Sequence, residues 1–380
     1  MTNRLRETAC GVALSLLAGC APAVVERKIA FFPPPPELPR IQYLTSFRGR
    51  KDIETQTAFN RFVVGEKKDV RVDKPYGVAI HQGKIYVCDT NGTVVVFDLE
   101  RKTFEPLQGA TGLGALRQPI NISIDAEGNK YVADSARGQV VVFGPNDAYL
   151  KAYGTPDRWR PVDVVPFGNE IYVADMANGL VHVLDRQSGE TVRTIGDKGE
   201  PAERLDRPTN LAIDTEGTLY VTDVGRFQVI QFDREGRFKA AIGKLGDNLG
   251  HFTRPKGIAL DREGHVYAVD AAFNNVQVFS REGRLLLFFG GTAAEKDAPG
   301  ALLLPAKVAI DYDNLRYFQS FVDPKFEAAY LVLVTSQVGD HPVSVFAYGK
   351  EKGKTYPTEA ELLELIQERQ KKETEKPKPR

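Results

Sequence analysis

Short stretches of alternating apolar and polar residues fill the middle of the chain, and glycine-containing turns separate them. Between Arg254 and Gly290 this pattern predicts four strands. The turns Asp261–Gly264 and Ser280–Gly283 each place glycine where a tight turn takes a positive φ. A lone four-stranded sheet is marginally stable, because both faces and an edge stay open. The recurrence of this unit along the chain therefore matters more than any single copy.

The unit recurs six times, and each copy opens with a proline. These prolines are Pro75, Pro119, Pro161, Pro208, Pro255 and Pro305. Five copies continue into a strand that begins with tyrosine and ends in aspartate, at Asp89, Asp134, Asp175, Asp223 and Asp270. Repetition at this period, with four strands and no helix per copy, predicts a β-propeller. We expect an all-β fold, a six-bladed β-propeller, over residues 41–349. The repeated aspartates are interpreted as structural acceptors for the turn that follows each strand.

The sixth copy lacks a fourth strand, and residues 41–49 resemble the missing one. We expect the segment near Tyr43 to pair with Val343–Phe346, which closes the ring and removes an open edge. The sixth copy also carries an insertion within residues 311–328. Its aromatic residues, Tyr312, Tyr317, Phe318, Phe321 and Phe326, predict either a plug at the bottom of the channel or an exposed protein-partner surface.

The amino terminus predicts export and lipid anchoring. Arg4 and Arg6 precede an apolar run that is too short to span a bilayer, and the run ends in Leu17-Ala-Gly-Cys20. Residues 1–20 are therefore interpreted as a bacterial lipoprotein signal peptide, with lipidation at Cys20; an ordinary cleaved signal peptide is the alternative. This predicts a cell-envelope location at the outer membrane, facing the periplasm or the exterior. Residues 21–40 are Pro-rich and predict a polyproline II tether, in which Phe31 and Phe32 contact either lipid or the domain.

The carboxy-terminal segment, residues 350–380, predicts a helix followed by a basic disordered tail. Thr358 and Glu361 form the pattern of a capping box, which opens a helix over about residues 359–371. Four apolar residues lie on one side of this helix: Leu362, Leu363, Leu365 and Ile366. The helix is expected either to pack on the flank of the propeller or to dock a partner.

Composition narrows the classes of function. The formal net charge is zero, which gives no reason to expect nucleic acid as a partner. The three cysteines form no CxxC pair, which disfavours zinc clusters, disulfide scaffolds and covalent haem. The sequence also lacks a G-x-S-x-G elbow and a phosphate-binding glycine loop. No catalytic set or firm cofactor is assigned from these patterns, and we expect a monomer.

The repeats resemble a known family. Their P-x-G start, the Tyr-Val-Ala-Asp strand and the Val-x-Val-Phe strand resemble NHL repeats, and Gly250–Pro255 resembles the linker of that family. With its lipobox and tether, the chain resembles bacterial six-bladed propeller lipoproteins of the NHL type. The resemblance implies the fold. It implies no single activity, because the family includes RNA-binding modules, peptide-amidating lyases and envelope proteins of undefined role. The arginine that often precedes the third strand in the family is replaced here by Thr93, Gln139, Leu180, Gln228 and Asn275.

Two sets of positions near the innermost strands are candidate sites. The residues before the prolines include four cations, Lys74, Arg160, Arg207 and Arg254, which we expect around one channel mouth. They form either an anion-binding rim or ion pairs with the repeated aspartates. Two residues after the prolines, Asn121, Asp163, Asn210 and Lys307 replace the usual glycine. Their oxygens suit Ca²⁺, but Lys307 opposes a metal and is an alternative partner for Asp163 in a polar network.

These observations favour a lipid-anchored envelope propeller that acts as a binding or scaffold module for an envelope protein or a small anionic ligand. The alternative is a Ca²⁺-dependent hydrolase or lyase that works at the channel mouth. A third alternative is a structural component of an envelope complex.

Overall fold

The structure is a computed structural model of the chain, and it describes residues 29–54, 62, 68–292, 298–358, 360–361, 364 and 368. Cys20 and the predicted signal peptide lie outside the described residues, as do Leu362, Leu363, Leu365 and Ile366 of the predicted helix. Among the described residues, no helix combines the length and the apolar character needed to cross a membrane.

Six antiparallel sheets form the blades of a propeller, which confirms the predicted fold. The first two strands, β1 (Phe31–Phe32) and β2 (Ile41–Phe47), belong to the last blade. Blade 1 contains β3 (Pro75–His81), β4 (Lys84–Asp89), β5 (Thr93–Asp98) and β6 (Thr103–Pro106). Blade 2 contains β7 (Pro119–Ile124), β8 (Lys130–Asp134), β9 (Gln139–Phe143) and β10 (Tyr149–Tyr153). Blade 3 contains β11 (Pro161–Phe167), β12 (Glu170–Asp175), β13 (Leu180–Asp185) and β14 (Thr191–Ile195).

The second half of the ring follows the same order. Blade 4 contains β15 (Pro208–Ile213), β16 (Leu219–Asp223), β17 (Gln228–Phe232) and β18 (Phe238–Ile242). Blade 5 contains β19 (Pro255–Leu260), β20 (Val266–Asp270), β21 (Asn275–Phe279) and β22 (Leu285–Gly290). Blade 6 contains β23 (Pro305–Asp311), β24 (Phe326–Ser336) and β25 (Val343–Glu351), followed in space by β2 and β1. Short 3₁₀ helices occupy Arg50–Asp52, Gly112–Gly114 and Leu315–Phe321.

The first strand of every blade is the innermost one, and each begins at one of the six repeat prolines. Proline lacks a backbone N–H and fixes φ, so it is well tolerated as the first residue of a strand. Each of these inner strands contacts the inner strand of the next blade, from β3 around to β23 and back to β3. The six strands thereby surround a central channel, and the hydrophobic core lies between neighbouring blades.

The ring closes through the amino-terminal strand, as predicted. In the antiparallel register of β2 and β25, Tyr43 lies opposite Phe346. The two-residue strand β1 adds to the outer edge of β2, with Phe32 opposite Ile41. The rings of Phe31 and Phe32 lie 5.7 Å from Phe326 and 6.2 Å from Phe289, respectively, between centroids. Of the two expected contacts for Phe31 and Phe32, the structure shows the one with the domain.

The insertion of blade 6 packs across this closure. Both of its expected arrangements placed the aromatic rings at the channel or at the surface, whereas Phe318 and Phe326 are 1% and 2% exposed and belong to the core between blades 6 and 1. Tyr317 and Phe321 pack against the same core, while Tyr312 packs against the core between blades 5 and 6. Burial of these rings is favourable by ~1.5–3 kcal/mol for each fully buried phenylalanine. In this structure the insertion therefore reinforces the joint of the ring.

Polar contacts of the insertion support the same function. The side chain of Gln42 on β2 donates to the Phe321 carbonyl oxygen and accepts from the Asp323 N–H, each at 3.1 Å. The Gly83 N–H of blade 1 donates to Asn314 Oδ1 at 2.7 Å. The insertion thus joins blade 6, β2 and blade 1, the three elements that meet where the ring closes.

After the propeller, the predicted capping box is present. The Thr358 N–H donates to the Glu361 carboxylate at 2.8 Å, and the Glu361 N–H donates to Thr358 Oγ1 at 3.3 Å. These reciprocal bonds satisfy backbone donors that the first turn of a helix leaves unpaired. Ala360, Glu361, Glu364 and Glu368 are helical and exposed.

Candidate functional site: the two mouths of the channel

A polar plug crosses the channel two residues after each proline. Asn121, Asp163 and Asn210 are fully buried there, and Lys307 is 6% exposed. The remaining two blades have glycine at this level, because their inner strands approach their neighbours closely. A Cβ on Gly77 would lie 2.6 Å from the Asn121 Cα, and one on Gly257 would lie 2.6 Å from the Lys307 Cα. The structure therefore brings together the four side chains that the sequence singled out.

Asp163 is the centre of the plug. Its Oδ2 accepts hydrogen bonds from Lys307 Nζ at 2.7 Å, the Leu211 N–H at 2.9 Å and Asn210 Nδ2 at 3.2 Å. Its Oδ1 accepts from the Val164 N–H at 2.9 Å. Lys307 comes from blade 6 and Asp163 from blade 3, so this ion pair joins opposite sides of the ring. The carboxylate is held by an ammonium and three N–H donors, which is the satisfaction a buried charge needs.

The plug does not fit a calcium ion as it stands. Asn121 donates from Nδ2 to the Val162 carbonyl oxygen at 2.7 Å, and the amide oxygens of Asn121 and Asn210 have no protein donor among the described residues. Those two oxygens suit a hard cation. However, the Lys307 ammonium already occupies the position of a cation beside Asp163. A metal at this level has to displace Lys307. The pair of Lys307 with Asp163 is the polar-network alternative that the sequence left open beside Ca²⁺.

The four rim cations surround the mouth above the plug, and their side chains are exposed. The backbone N–H groups of Arg160, Arg207 and Arg254 donate to the repeated aspartates of their blades. Their side chains do not pair with the repeated aspartates. Arg207 Nε lies 3.8 Å from Oδ2 of its neighbour Asp206. Lys74, Arg160 and Arg254 form no ion pair with any residue that the structure describes. The expected alternative, pairing with the repeated aspartates, is not formed.

The repeated aspartates have the structural function that was expected. Asp89 accepts from the Asn91 N–H of the following turn at 3.1 Å and from the Asp73 N–H at 2.7 Å. Asp223 and Asp270 accept from equivalent backbone donors. Each carboxylate thus joins the turn after the second strand to the entrance of the first strand. Since backbone donors satisfy these carboxylates, the rim cations keep their charge available to solvent.

Lys256 also lies at the cationic mouth, and sequence reasoning missed it. It follows Pro255 directly, at a position where the other blades have Tyr76, Ile120, Val162, Thr209 and Ala306. Lys256 is 7% exposed; its Nζ donates to Gln337 Oε1 at 2.7 Å and lies 5.1 Å from the centroid of the Tyr76 ring. Burial and, to a lesser extent, the charge of Arg254 lower the pKa of Lys256 to about 8. The sequence signal that could have identified Lys256 is a lysine directly after the repeat proline, a position where no other blade has a charged residue.

Tyr76 forms the wall opposite Lys256. Burial raises the pKa of the Tyr76 phenol well above its usual value, and the charge of Asp163 adds to this effect. The backbone of Tyr76 is fixed from blade 6, because Thr335 Oγ1 donates to its carbonyl oxygen at 2.5 Å. The same hydroxyl accepts from the Lys307 N–H at 3.0 Å. Thr335 therefore fixes both the backbone of Tyr76 and the backbone of Lys307 in the plug.

The opposite mouth is a funnel of about 730 Å³ with aliphatic walls, and its charged lining residues are Asp125, Glu127, Arg186 and Lys307. Six residues after the prolines, four blades carry aspartate: Asp125, Asp214, Asp261 and Asp311. Each accepts hydrogen bonds from the backbone of its own turn. Arg186 pairs with Asp125 and Glu127 at the rim. Sequence reasoning missed this ring, although the shared spacing from the prolines was visible.

One of these aspartates belongs to a buried network between blades 5 and 6. Asp261 Oδ2 binds His265 Nδ1 at 2.7 Å and the Tyr330 hydroxyl at 2.9 Å, and that hydroxyl lies 2.7 Å from the Tyr267 hydroxyl. Burial opposes ionisation of Asp261, but the hydrogen bond and charge of His265 outweigh it and lower the pKa of Asp261. Glu263 lies within 4.8 Å of the ligand atoms of Asp261 and His265. The 2.7 Å separation of His265 Nδ1 and Asp261 Oδ2 is that of a hydrogen bond.

The remaining cysteine of the described chain, Cys88, is fully buried on β4. Burial and the charge of Asp163 raise the pKa of its thiol well above the usual value. The thiol therefore stays protonated and is part of the core, as its position in the strand indicated.

The fold and the plugged channel define a six-bladed β-propeller with a cationic mouth. No protein-family model and no curated protein matches the sequence. Among solved structures, the chain is similar to the gluconolactonase XC5397 from Xanthomonas campestris, with 18% identity and a TM-score of 0.53 over 81% of this chain and 98% of that chain. It is also similar to a Bacteroides thetaiotaomicron protein of unknown function, with 12% identity and a TM-score of 0.55 over 82% and 76% of the two chains.

A structure of streptogramin B lyase is a further neighbour, with 11% identity and a TM-score of 0.50 over 77% of this chain and 86% of that chain. At these identities the likeness concerns the fold alone. The NHL label stays a resemblance of the repeats.

Proposed function

We propose that the protein is a propeller enzyme of the hydrolase or lyase class that takes a small anionic molecule, or one that becomes anionic in the reaction, at the cationic mouth. The observation that carries this proposal is the set of exposed rim cations above a plug that closes the channel. Three of them, Lys74, Arg160 and Arg254, form no ion pair with any described residue, and Arg207 pairs with its exposed neighbour Asp206. Two of the fold neighbours are enzymes, a gluconolactonase and a streptogramin B lyase, which supports an enzyme over a scaffold.

In this proposal, each layer of the mouth has a different task. Exposed Arg160, Arg207, Arg254 and Lys74 create a positive potential, which concentrates an anion and speeds its approach. The plug at Asp163 and Lys307 stops the ligand at the level of Tyr76 and Lys256. Cations fixed at this level stabilise negative charge that develops on an oxygen during acyl transfer or elimination. No step requires a metal, since Lys307 already neutralises the one carboxylate of the plug.

Lactone hydrolysis tests this proposal directly. Hydrolysis of glucono-1,5-lactone by the full chain is followed by proton release, and binding of gluconate is followed by calorimetry. We expect the double variant Arg160→Gln, Arg254→Gln to weaken gluconate binding about tenfold, through loss of two charge-assisted contacts worth roughly 0.5–1 kcal/mol each at exposed sites. Arg101→Gln is the matched control, because Arg101 is exposed on the third-to-fourth strand turn of blade 1, at the opposite face.

Binding that depends on Arg160 and Arg254 together with hydrolysis supports the enzyme. Binding without hydrolysis of lactones supports the ligand-binding module, the second candidate function. Failure of both, or equal loss in Arg101→Gln, contradicts a site at the cationic mouth.

We also propose that the propeller is lipid-anchored in the cell envelope, with the outer membrane as the expected membrane. The support is the Leu17–Cys20 motif, which lies outside the described residues, and the exposed position of Ile29 where the described chain begins. A Cys20→Ser variant is expected to leave the membrane fraction; its retention there contradicts the anchor. An envelope partner protein stays a prediction.

A further inference from the structure

Three lysines are buried in the described part of the chain, and they differ in what their ammonium groups contact. Lys130 pairs with Asp147 at 2.6 Å and also donates to the carbonyl oxygens of Gly144 and Pro145. Lys307 pairs with Asp163 at 2.7 Å. Lys256 has no carboxylate within ion-pair distance among the described residues, and its polar partner is the neutral amide oxygen of Gln337. Exposure does not explain the difference, since the three are 1%, 6% and 7% exposed.

An ammonium in such surroundings is unfavourable, because burial removes its hydration and no counter-charge replaces it. The described elements around Lys256 add no negative charge: the cation Arg254 directly precedes β19, β3 contributes the phenol of Tyr76, and the turn after β24 contributes Gln337. Tyr76 stays protonated, because burial raises the pKa of its phenol. The balance lowers the pKa of Lys256 to about 8. At neutral pH its uncharged, nucleophilic fraction is roughly a hundredfold that of an ordinary lysine.

We infer that Lys256 is a nucleophile that forms an imine with the carbonyl group of a small oxo acid. The ligand carboxylate is bound by Arg254 and the neighbouring rim cations, and the carbonyl carbon is then presented to Nζ. This inference rests on the proposed function for the anionic character of the ligand, whereas imine formation itself depends on the surroundings of Lys256.

The step is balanced without an oxidant or a reductant. The lone pair of Nζ attacks the carbonyl carbon, a C–N bond forms, and the π electrons of the carbonyl move to oxygen to give a carbinolamine after proton transfer. Loss of that oxygen as water breaks the C–O bond and leaves a C=N bond. The protonated imine withdraws electrons from the neighbouring carbon, which favours lyase chemistry over simple hydrolysis. Lys256 is fixed for the attack, because its strand begins at Pro255 and its Nζ is held by Gln337.

Reductive trapping tests the inference. The full chain is treated with pyruvate and sodium cyanoborohydride at pH 7, and the modified lysine is located by peptide mass mapping. We expect one adduct per chain, at Lys256, formed at least about tenfold faster than at the exposed rim lysine Lys74, as the larger uncharged fraction predicts. Lys256→Arg keeps a cation of similar length without a nucleophilic amine, so it is expected to abolish the adduct. Modification spread over exposed lysines with Lys256 unmodified overturns the inference.

Acetaldehyde, which carries no charge, separates this inference from the proposed function. Loss of the Arg254 charge raises the pKa of Lys256 and slows both probes equally, so the readout is the ratio of the two trapping rates. If the inference and the proposed function both hold, Arg254→Gln lowers the ratio of pyruvate to acetaldehyde trapping at Lys256 about threefold to tenfold. Trapping of both probes with an equal ratio in the wild type and in Arg254→Gln supports the nucleophile and contradicts the anion site. Gluconate binding without trapping of either probe supports the anion site and overturns the nucleophile.

Discussion

Lys307 and Lys256 lie near the channel axis on neighbouring inner strands, and both are buried, yet their surroundings are opposite. Lys307 reaches across the ring to Asp163, which also accepts three N–H groups. Among the described residues, Lys256 contacts a neutral amide and an aromatic ring but no carboxylate. The first arrangement fixes a charge and makes it structural. The second leaves a charge unpaired and makes the amine reactive, so the partner, rather than the degree of burial, decides what a buried lysine does.

The largest effect on stability is expected from breaking the ion pair between Lys307 and Asp163. Lys307→Met leaves the Asp163 carboxylate buried without a counter-charge. Removing one partner of a buried ion pair costs about 3–5 kcal/mol, because the remaining charge stays desolvated. We expect the free energy of unfolding, measured in urea, to fall by about that amount.

The double variant Lys307→Met, Asp163→Asn removes both charges and is expected to recover most of the loss. A loss below about 1 kcal/mol in the single variant would show that the pair is not formed.

Lys307→Ala also tests the calcium alternative. Calcium at tenfold excess over its Kd is expected to stabilise that variant by about 1.4 kcal/mol, with no shift in the wild type. A shift in the wild type that Asp163→Ala removes would instead support a metal site.

Replacing Lys256, which has no carboxylate partner among the described residues, is expected to have a smaller effect and to stabilise the fold. The pKa of Lys256 is about 8 in the folded protein and near 10.5 in the unfolded chain, so the unfolded state binds more protons between these values. The penalty for charging Lys256 is therefore complete below pH 8 and is lost as the pH rises towards 10.5. Lys256→Met is expected to stabilise the protein by roughly 1–3 kcal/mol at pH 7, and the gain should vanish by about pH 10.5.

Unfolding curves of Lys256→Met and the wild type at several pH values between 7 and 10.5 give this difference. Lys130→Met is the matched control: it removes a buried lysine that does have a carboxylate, Asp147, and is expected to destabilise at pH 7. A stabilisation of Lys256→Met that is independent of pH would mean that charge is not its cause.

Most of the fold could be predicted because a propeller repeats its local rules. The prolines set the start of each inner strand, and the repeated aspartates accept the backbone donors that join two turns of the same blade. These features depend on residues within one repeat, so they are legible in the sequence. The closure at Tyr43 and Phe346 could be predicted as well, because a missing strand and an orphan strand have matching patterns.

The insertion and the reactive lysine show where such reasoning stops. The aromatic residues of the insertion predicted a surface or a plug, but Phe318 and Phe326 pack into the joint between blades 6 and 1. Whether an aromatic side chain points inward depends on space left by another blade, which no repeat pattern records. Lys256 was missed for a related reason. Its polar partner Gln337 is 81 residues away, and its pKa is lowered because no carboxylate of the described residues lies close enough to pair with it.

The amino-acid sequence by itself determined the number of blades, their boundaries and the residues that meet at the level of the plug, because strand period and turn chemistry are local. Only the tertiary structure decided that Lys307 pairs with Asp163, 144 residues away, and that Lys256 has no carboxylate beside it in the part of the chain that the structure describes. Across a channel, the partner of a side chain is set by the width of the ring and the direction of each strand. These are properties of the closed assembly of six blades, and they fix which buried charges are neutralised and which remain free to react.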